Sequence, residues 1–157
     1  MNLISVIVGV GLVALVVTGG IQYVSPDAAT RSELMLRAEA GFAALESALA
    51  SQQAVGLRAP SADGWQEAMF PTFGTLPPTL AGLNRSYGND EEGVWFCLSG
   101  RPTMPQVADA LKSLKNRMSD TRYALGDECA SHSNVSDESV AATVWMQRRK
   151  KTSRENS

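Results

Sequence analysis

Residues 3–24 read LISVIVGVGLVALVVTGGIQYV, and this stretch decides how the rest of the chain is interpreted. Only three of its residues are polar, and no charged side chain occurs before Asp27. As an α-helix, these residues would be about 33 Å long, which is enough to cross a hydrocarbon core of about 30 Å. A secretory signal peptide is the alternative, but its apolar core is shorter and follows a basic segment. The sequence therefore predicts a membrane-spanning helix over residues 1–25.

Length and composition limit the class of protein. The chain has 157 residues, of which 44% are hydrophobic and 19% charged, with a net charge of −2. One domain is expected, and a disordered protein, a collagen-like repeat and a multi-span membrane protein are excluded. Residues 148–157 carry five basic side chains and one acidic side chain. We expect a disordered, solubilising tail there, with binding of acidic lipid or nucleic acid as the alternative.

A second, amphipathic helix is predicted directly after the apolar segment. Pro26 predicts a kink or a short break, and Thr30 with Glu33 has the spacing of a capping box. Apolar residues then recur at helical spacing and form one stripe: Leu34, Ala38, Phe42, Leu45 and Leu49. The charged residues expected on the solvent side are Arg31, Glu33, Arg37, Glu39 and Glu46. We expect this helix to end by Gly56 and to pack against the rest of a globular domain over residues 26–147.

The remainder of that domain predicts a small α+β region. Residues 51–93 are rich in proline and glycine, which predicts an irregular connection with at most short elements and a turn over residues 88–93. Five apolar residues of this connection are expected to contact the core: Trp65, Met69, Phe70, Phe73 and Leu76.

Residues 94–147 are expected to contain the sheet. Strands are predicted at residues 94–98 and 140–146, with a weaker one at residues 122–125, and alternation in the last strand predicts one buried face. A helix over Thr103–Met118, capped by Thr103, is expected between the strand at residues 94–98 and the strand at residues 122–125. The predicted fold is therefore α+β, with a long N-terminal helix packed against a small antiparallel sheet.

Two cysteines, Cys97 and Cys129, are the only ones in the chain. An even number of cysteines behind a membrane anchor favours one disulfide in an oxidising compartment. Two free, buried thiols are the alternative, because sequence alone does not establish bond geometry.

Candidates for catalysis, metal binding and cofactor binding are weak. Cys129 and His132 have C-x-x-H spacing, but a zinc site needs three or four ligands. Asp90, Glu91 and Glu92 lack the alternating oxygen ligands of a calcium loop. No nucleophile elbow or phosphate-binding loop is present. We therefore expect no enzyme activity, no metal and no cofactor.

Taken together, these features resemble a type IV pilin. The resemblance is carried by the uncharged helix that begins at the third residue, its amphipathic continuation, the irregular connection and the α+β region with two cysteines. The helix predicted between Cys97 and Cys129 is similar to the type IVb branch of the family. The resemblance implies a filament subunit anchored in the inner membrane with a periplasmic domain, which later enters an extracellular pilus. It also implies that a prepilin peptidase removes a leader and that the new N-terminus, Met1, is methylated.

Position 5 departs from the pattern of the family. Pilins carry a glutamate there that pairs with the terminal amine of a neighbouring subunit, whereas this chain has Ser5. The departure indicates a minor or tip-type pilin with other pilin subunits as partners and an unspecified surface or host ligand. Ser5 and Gly9 form a small-xxx-small pair that would allow close helix approach. Two alternatives stay open: a pseudopilin of a type II secretion system, and a single-pass anchored periplasmic binding protein without a filament.

Overall fold

The structure is a computed structural model that describes residues 25–131 and 139–148. The predicted α+β class is confirmed for this part of the chain, and the predicted membrane helix lies outside it apart from Ser25. The helices are α1 (Pro26–Ala54), α2 (Trp65–Met69) and α3 (Pro105–Lys115). The strands are β1 (Asn84–Asp90), β2 (Gly93–Gly100), β3 (Tyr123–Gly126) and β4 (Val140–Arg148).

The long helix α1 begins four residues before the predicted capping box. Ser25 is extended, and its hydroxyl accepts a hydrogen bond from the N–H of Ala28 at 3.3 Å, so it is the N-cap. Pro26 occupies the first helical position, where a missing N–H costs nothing. The predicted cap at Thr30 is therefore wrong: its hydroxyl lies inside the helix and donates to the carbonyl of Pro26 at 2.9 Å. The predicted end before Gly56 is confirmed.

The sheet is antiparallel throughout, and its strand order is β1-β2-β4-β3. The prediction that residues 51–93 are irregular is wrong at its C-terminal end, because β1 pairs with β2 from Asn84 to Asp90. The predicted turn over residues 88–93 is accordingly shorter. The Asp90 carboxylate closes it by accepting hydrogen bonds from the N–H groups of Glu92 at 2.8 Å and of Gly93 at 3.2 Å.

One face of the sheet packs against α1 and α3 and forms the main core. The predicted apolar stripe of α1 is confirmed, since all five of its residues are buried. Helix α3 is shorter than predicted, and Met104 rather than Thr103 is its N-cap, without a side-chain hydrogen bond. Its apolar residues Val107, Leu111 and Leu114 are nevertheless fully buried, as expected from their spacing.

The opposite face of the sheet is also covered, which the alternation in β4 did not predict. Alternation places Thr143 and Trp145 opposite the predicted buried face, but their exposed fractions are 0% and 1%. Cys97 lies opposite Thr143 in the β2–β4 ladder, and its disulfide to Cys129 brings the segment after β3 onto this face. The N–H of Ala130 then donates to the hydroxyl of Thr143 at 2.9 Å. Residues 140–145 of β4 are therefore buried on both faces, with the main core on one side and the disulfide-linked segment beside Thr143 on the other.

The connection between α1 and β1 is attached to the core through its aromatic residues. Trp65 and Met69 are buried, and the other three predicted contact residues are partly buried, so this prediction is confirmed. The ring of Trp65 stacks on Tyr87 with centroids 5.6 Å apart and meets Phe96 edge-on at 5.4 Å. The Tyr87 hydroxyl donates to the carbonyl of Pro60 at 2.9 Å, which ties the connection to the sheet edge.

The predicted C-terminal tail begins one residue too early. Arg148 is the last residue of β4, and its guanidinium lies 4.8 Å from the ring centroid of Trp145. It also donates to the carbonyl of Thr121 at 3.0 Å. Arg148 thus belongs to the folded domain, and residues 149–157 lie outside the described residues.

Candidate functional site

The predicted site residues divide into two groups. Met1, Ser5 and Gly9 lie outside the described residues, so their predicted roles in processing and assembly stay predictions. Cys97 and Cys129 form the disulfide that we favoured, with their Cα atoms 5.8 Å apart. This bond is structural, because it joins the centre of β2 to the segment that follows β3.

The exposed side of α1 carries uncharged residues along most of its length, and all but the first of them are small. We call this surface the small-residue face, and its members are Leu36, Ala40, Ala43, Ser47, Ala50 and Ala54. All six are exposed, and they recur at intervals of four, three, four, three and four residues. This heptad spacing is that of the seam between two packed helices. The surface of α1 that faces away from the core therefore has the pattern of a second packing surface.

Ion pairs on one flank hold the acidic residues of α1 away from this face. Glu39 pairs with Arg117 at 3.2 Å, and Glu46 pairs with Arg122 at 2.8 Å. Both arginines lie in the segment between α3 and β3, so the two carboxylates are directed along the side of α1. Exposed pairs of this kind stabilise a protein by at most about 1 kcal/mol each. Their main consequence here is geometric, because they leave the small-residue face without charge.

The other flank of α1 also carries an ion pair. Glu33 accepts a hydrogen bond from Arg37 within the helix at 2.6 Å. The charges that we expected across the solvent side of α1 are thus concentrated on its flanks and its first turns. The signal for the small-residue face is present in the sequence, because four alanines and one serine already have heptad spacing. A single apolar stripe does not reveal it, since the second stripe consists of small residues that are also common on solvated surfaces.

A groove of about 610 Å³ lies beside the small-residue face, between α1 and residues 77–81. Its walls are apolar: one comes from Leu34, Ala38 and Phe42 of α1, and the other includes Pro77, Leu80, Leu98 and Met104. Arg85 of β1 also lines this groove and is half-buried. Its guanidinium donates a hydrogen bond to the carbonyl of Pro77.

One buried ionisable group of the described region, Tyr123, has a structural role. Tyr123 is buried, and its hydroxyl donates to the carbonyl of Leu111 at 2.9 Å. Burial raises the pKa of Tyr123 well above its ordinary value, so its phenol is neutral at physiological pH. Within residues 25–131 and 139–148, no three His, Cys, Asp or Glu side chains lie together as metal ligands would. His132 lies outside these ranges.

Comparisons of the chain with protein-family models, with curated proteins and with solved structures find no match. Among the described residues, no helix is both long enough and apolar enough to cross a bilayer. The span predicted at residues 3–24 lies outside them.

Proposed function

We propose that this protein is a filament subunit of the type IV pilin kind, which assembles through residues 1–25 and the small-residue face of α1. The observation that carries the proposal is the uncharged, heptad-spaced surface on the exposed side of α1. The helix that carries this surface follows directly in the chain after a segment without any charged residue. The solvent-facing side of an ordinary surface helix carries mainly charged and polar residues. Alanine favours the helix itself, but its helix propensity does not explain why the charges are missing from this side.

The partner that fits this face is α1 of a second copy or of another pilin subunit. Alanine and serine side chains are short, so two helix backbones can approach to the lower end of the usual range of about 8–10 Å. Helix α1 has 29 residues and is about 43 Å long, which offers several heptads of contact. The apolar residues 3–24 can leave lipid for a bundle of similar helices, since both environments satisfy their backbone and side chains.

The remaining features of the proposal follow from the resemblance. Before assembly the chain would be anchored in the inner membrane with its domain in the periplasm, and afterwards it would be extracellular. A prepilin peptidase is the processing partner that the resemblance implies. Because Ser5 carries no charge for a subunit above it to neutralise, we assign the protein to a minor position at or near the filament tip.

The test introduces a charge at the centre of the small-residue face. Ser47→Arg and Ala50→Arg should each reduce incorporation into sheared extracellular fibres by at least about tenfold, because a buried guanidinium without a partner is costly. Incorporation is measured by quantitative mass spectrometry of the fibre fraction, relative to total cellular protein. The matched control is Ala68→Arg, which places the same charge on an exposed position of the short helix α2.

Both face variants should unfold at the wild-type temperature, because positions 47 and 50 are exposed. Equal incorporation of the face variants and of Ala68→Arg would refute assembly through α1. The same fractions give the copy number of the wild type. If it proved to be the bulk subunit of the fibre, the tip assignment would be wrong.

A further inference from the structure

Among the described residues, Arg85 is a cation without a carboxylate partner in the largely apolar groove beside α1. Arg85 forms no ion pair with any carboxylate of the described residues, and its guanidinium donates one hydrogen bond, to the Pro77 carbonyl. A guanidinium has five N–H donors, so most of its hydrogen-bonding capacity remains available to a ligand. Burial lowers the pKa of Arg85 from its ordinary value, since partial desolvation disfavours its charge.

The second cation beside the groove is already neutralised. Arg37 also lines it, but this side chain is mostly exposed and pairs with Glu33 at 2.6 Å. Counting only residues 25–131 and 139–148, the groove has one cation without a carboxylate partner, and a single positive charge matches a monovalent anion better than a phosphate monoester. Its volume of about 610 Å³ lies within the range of sites that hold one small ligand.

We propose that this groove binds a single-chain amphiphile with a carboxylate headgroup, a long-chain fatty acid, whose carboxylate meets Arg85 and whose alkyl chain lies between α1 and residues 77–81. A carboxylate is planar and accepts two parallel N–H bonds from a guanidinium, which a neutral headgroup cannot do. The apolar walls from Leu34, Phe42 and Met104 contact the alkyl chain. This proposal does not depend on filament assembly.

Segments of the chain itself fit the groove less well. The apolar residues 3–24 contain no acidic side chain, so the same segment of this copy or of a second copy would leave Arg85 unpaired. Residues 149–157 contain Glu155, but their four basic residues give them a net side-chain charge of +3, which Arg85 would repel. A separate anionic amphiphile supplies both an alkyl chain for the apolar walls and a negative charge for Arg85.

The experiment uses the full chain in nanodiscs of phosphatidylcholine, which has no net charge. The probe is hexadecanoic acid with a diazirine in its chain, and the comparison probe is its methyl ester. After irradiation, labelled peptides are mapped by mass spectrometry, with the apolar residues 3–24 as the internal reference for exposure to lipid. We expect the acid to label residues 34–45 and 77–85 about tenfold more than the ester does, as one charge-assisted pair would produce.

Variants separate the charge from the shape of the groove. Arg85→Met should reduce labelling by the acid about tenfold and leave labelling by the ester unchanged, because it removes the headgroup contact alone. Arg58→Met is the matched control, since Arg58 is exposed and does not line the groove. Gly41→Leu should abolish labelling by both probes. The Cβ added there would lie 4.0 Å from the Cβ of Pro77, so a longer side chain occupies the groove.

Three results would overturn the proposal. Equal labelling of the groove by acid and ester would show an apolar occupant without selection for charge. Labelling confined to residues 3–24 would show contact with lipid alone. Stronger competition by lysophosphatidate than by unlabelled hexadecanoate would show that a phosphate is the preferred headgroup. If Arg85→Met failed to fold, the comparison of acid with ester in the wild type and in Arg85→Lys would still decide the matter.

Discussion

Loss of the disulfide between Cys97 and Cys129 tests the energetic basis of this fold most directly. The bond closes a loop with a sequence separation of 32 residues, which contains α3 and β3. Loop-closure entropy for a segment of this length gives a stabilisation of roughly 3–4 kcal/mol, through restriction of the unfolded chain. A domain of this size has a total stability of about 5–15 kcal/mol, so the bond contributes a large share.

The assay is urea unfolding of the full chain, with and without reductant, followed by tryptophan fluorescence. All three tryptophans, Trp65, Trp95 and Trp145, belong to the described domain, so the signal reports on this domain alone. We expect reduction to lower the free energy of unfolding by roughly 3–4 kcal/mol. The Cys97→Ala/Cys129→Ala variant should lose somewhat more, because it also removes the buried sulfur of Cys97.

The two measurements bracket the contribution of the covalent constraint. If the oxidised and reduced proteins unfolded at the same urea concentration, the reasoning from loop closure would be refuted. The segment after β3 would then be held on the sheet by contacts such as the hydrogen bond from Ala130 to Thr143 alone. Alkylation of both cysteines in protein isolated without reductant would contradict the bond itself.

Three substitutions give further tests, each by urea unfolding. Gly93→Ala should destabilise the domain by more than about 2 kcal/mol, because Gly93 has a φ of 136° and an added Cβ would lie 1.9 Å from the Gln147 carbonyl oxygen. The control is Gly41→Ala in α1, which should stabilise the domain by about 0.5–1 kcal/mol. A lower free energy of unfolding for Gly41→Ala would show that the helix tolerates no Cβ at this position. Burial raises the pKa of Tyr123, so the unfolded chain ionises first and stability falls as pH rises above about 10. Between pH 9 and 11, ionisation of Tyr123 in the unfolded chain should lower the free energy of unfolding of the wild type by about 1.4 kcal/mol more than that of Tyr123→Phe. An equal decrease in both proteins would contradict this prediction.

Local patterns were sufficient to predict α1, α3 and the two central strands. The apolar stripe from Leu34 to Leu49 has helical spacing, and each of its residues faces the core because the spacing alone determines that face. The pairing of Cys97 with Cys129 followed from their number once an oxidising compartment was assumed. These features depend on residues near one another in the chain or on a simple count.

Strand β1 could not be predicted in this way. Its sequence, NRSYGND, contains polar and small residues with low strand propensity, and glycines surround it. It is a strand because β2 supplies its hydrogen-bonding partners and because Trp95 lies over Gly88, where an added Cβ would be 2.2 Å from the indole ring. The start of α1 was misplaced for a related reason: Ser25 and Thr30 are both good caps, and the sequence does not rank them.

The sequence by itself determined an uncharged apolar segment, an amphipathic helix after it, and a small α+β region with two cysteines. Tertiary structure alone decided where the charges of that helix point. Glu39 and Glu46 meet Arg117 and Arg122, which are 78 and 76 residues away in the chain, and this pairing leaves the small-residue face uncharged. The groove at Arg85 likewise forms only when β1, α1 and residues 77–81 come together. The periodicity of apolar residues indicates which face of a single helix or strand is buried. The charge and shape of a surface depend instead on which elements, distant in the chain, lie beside it.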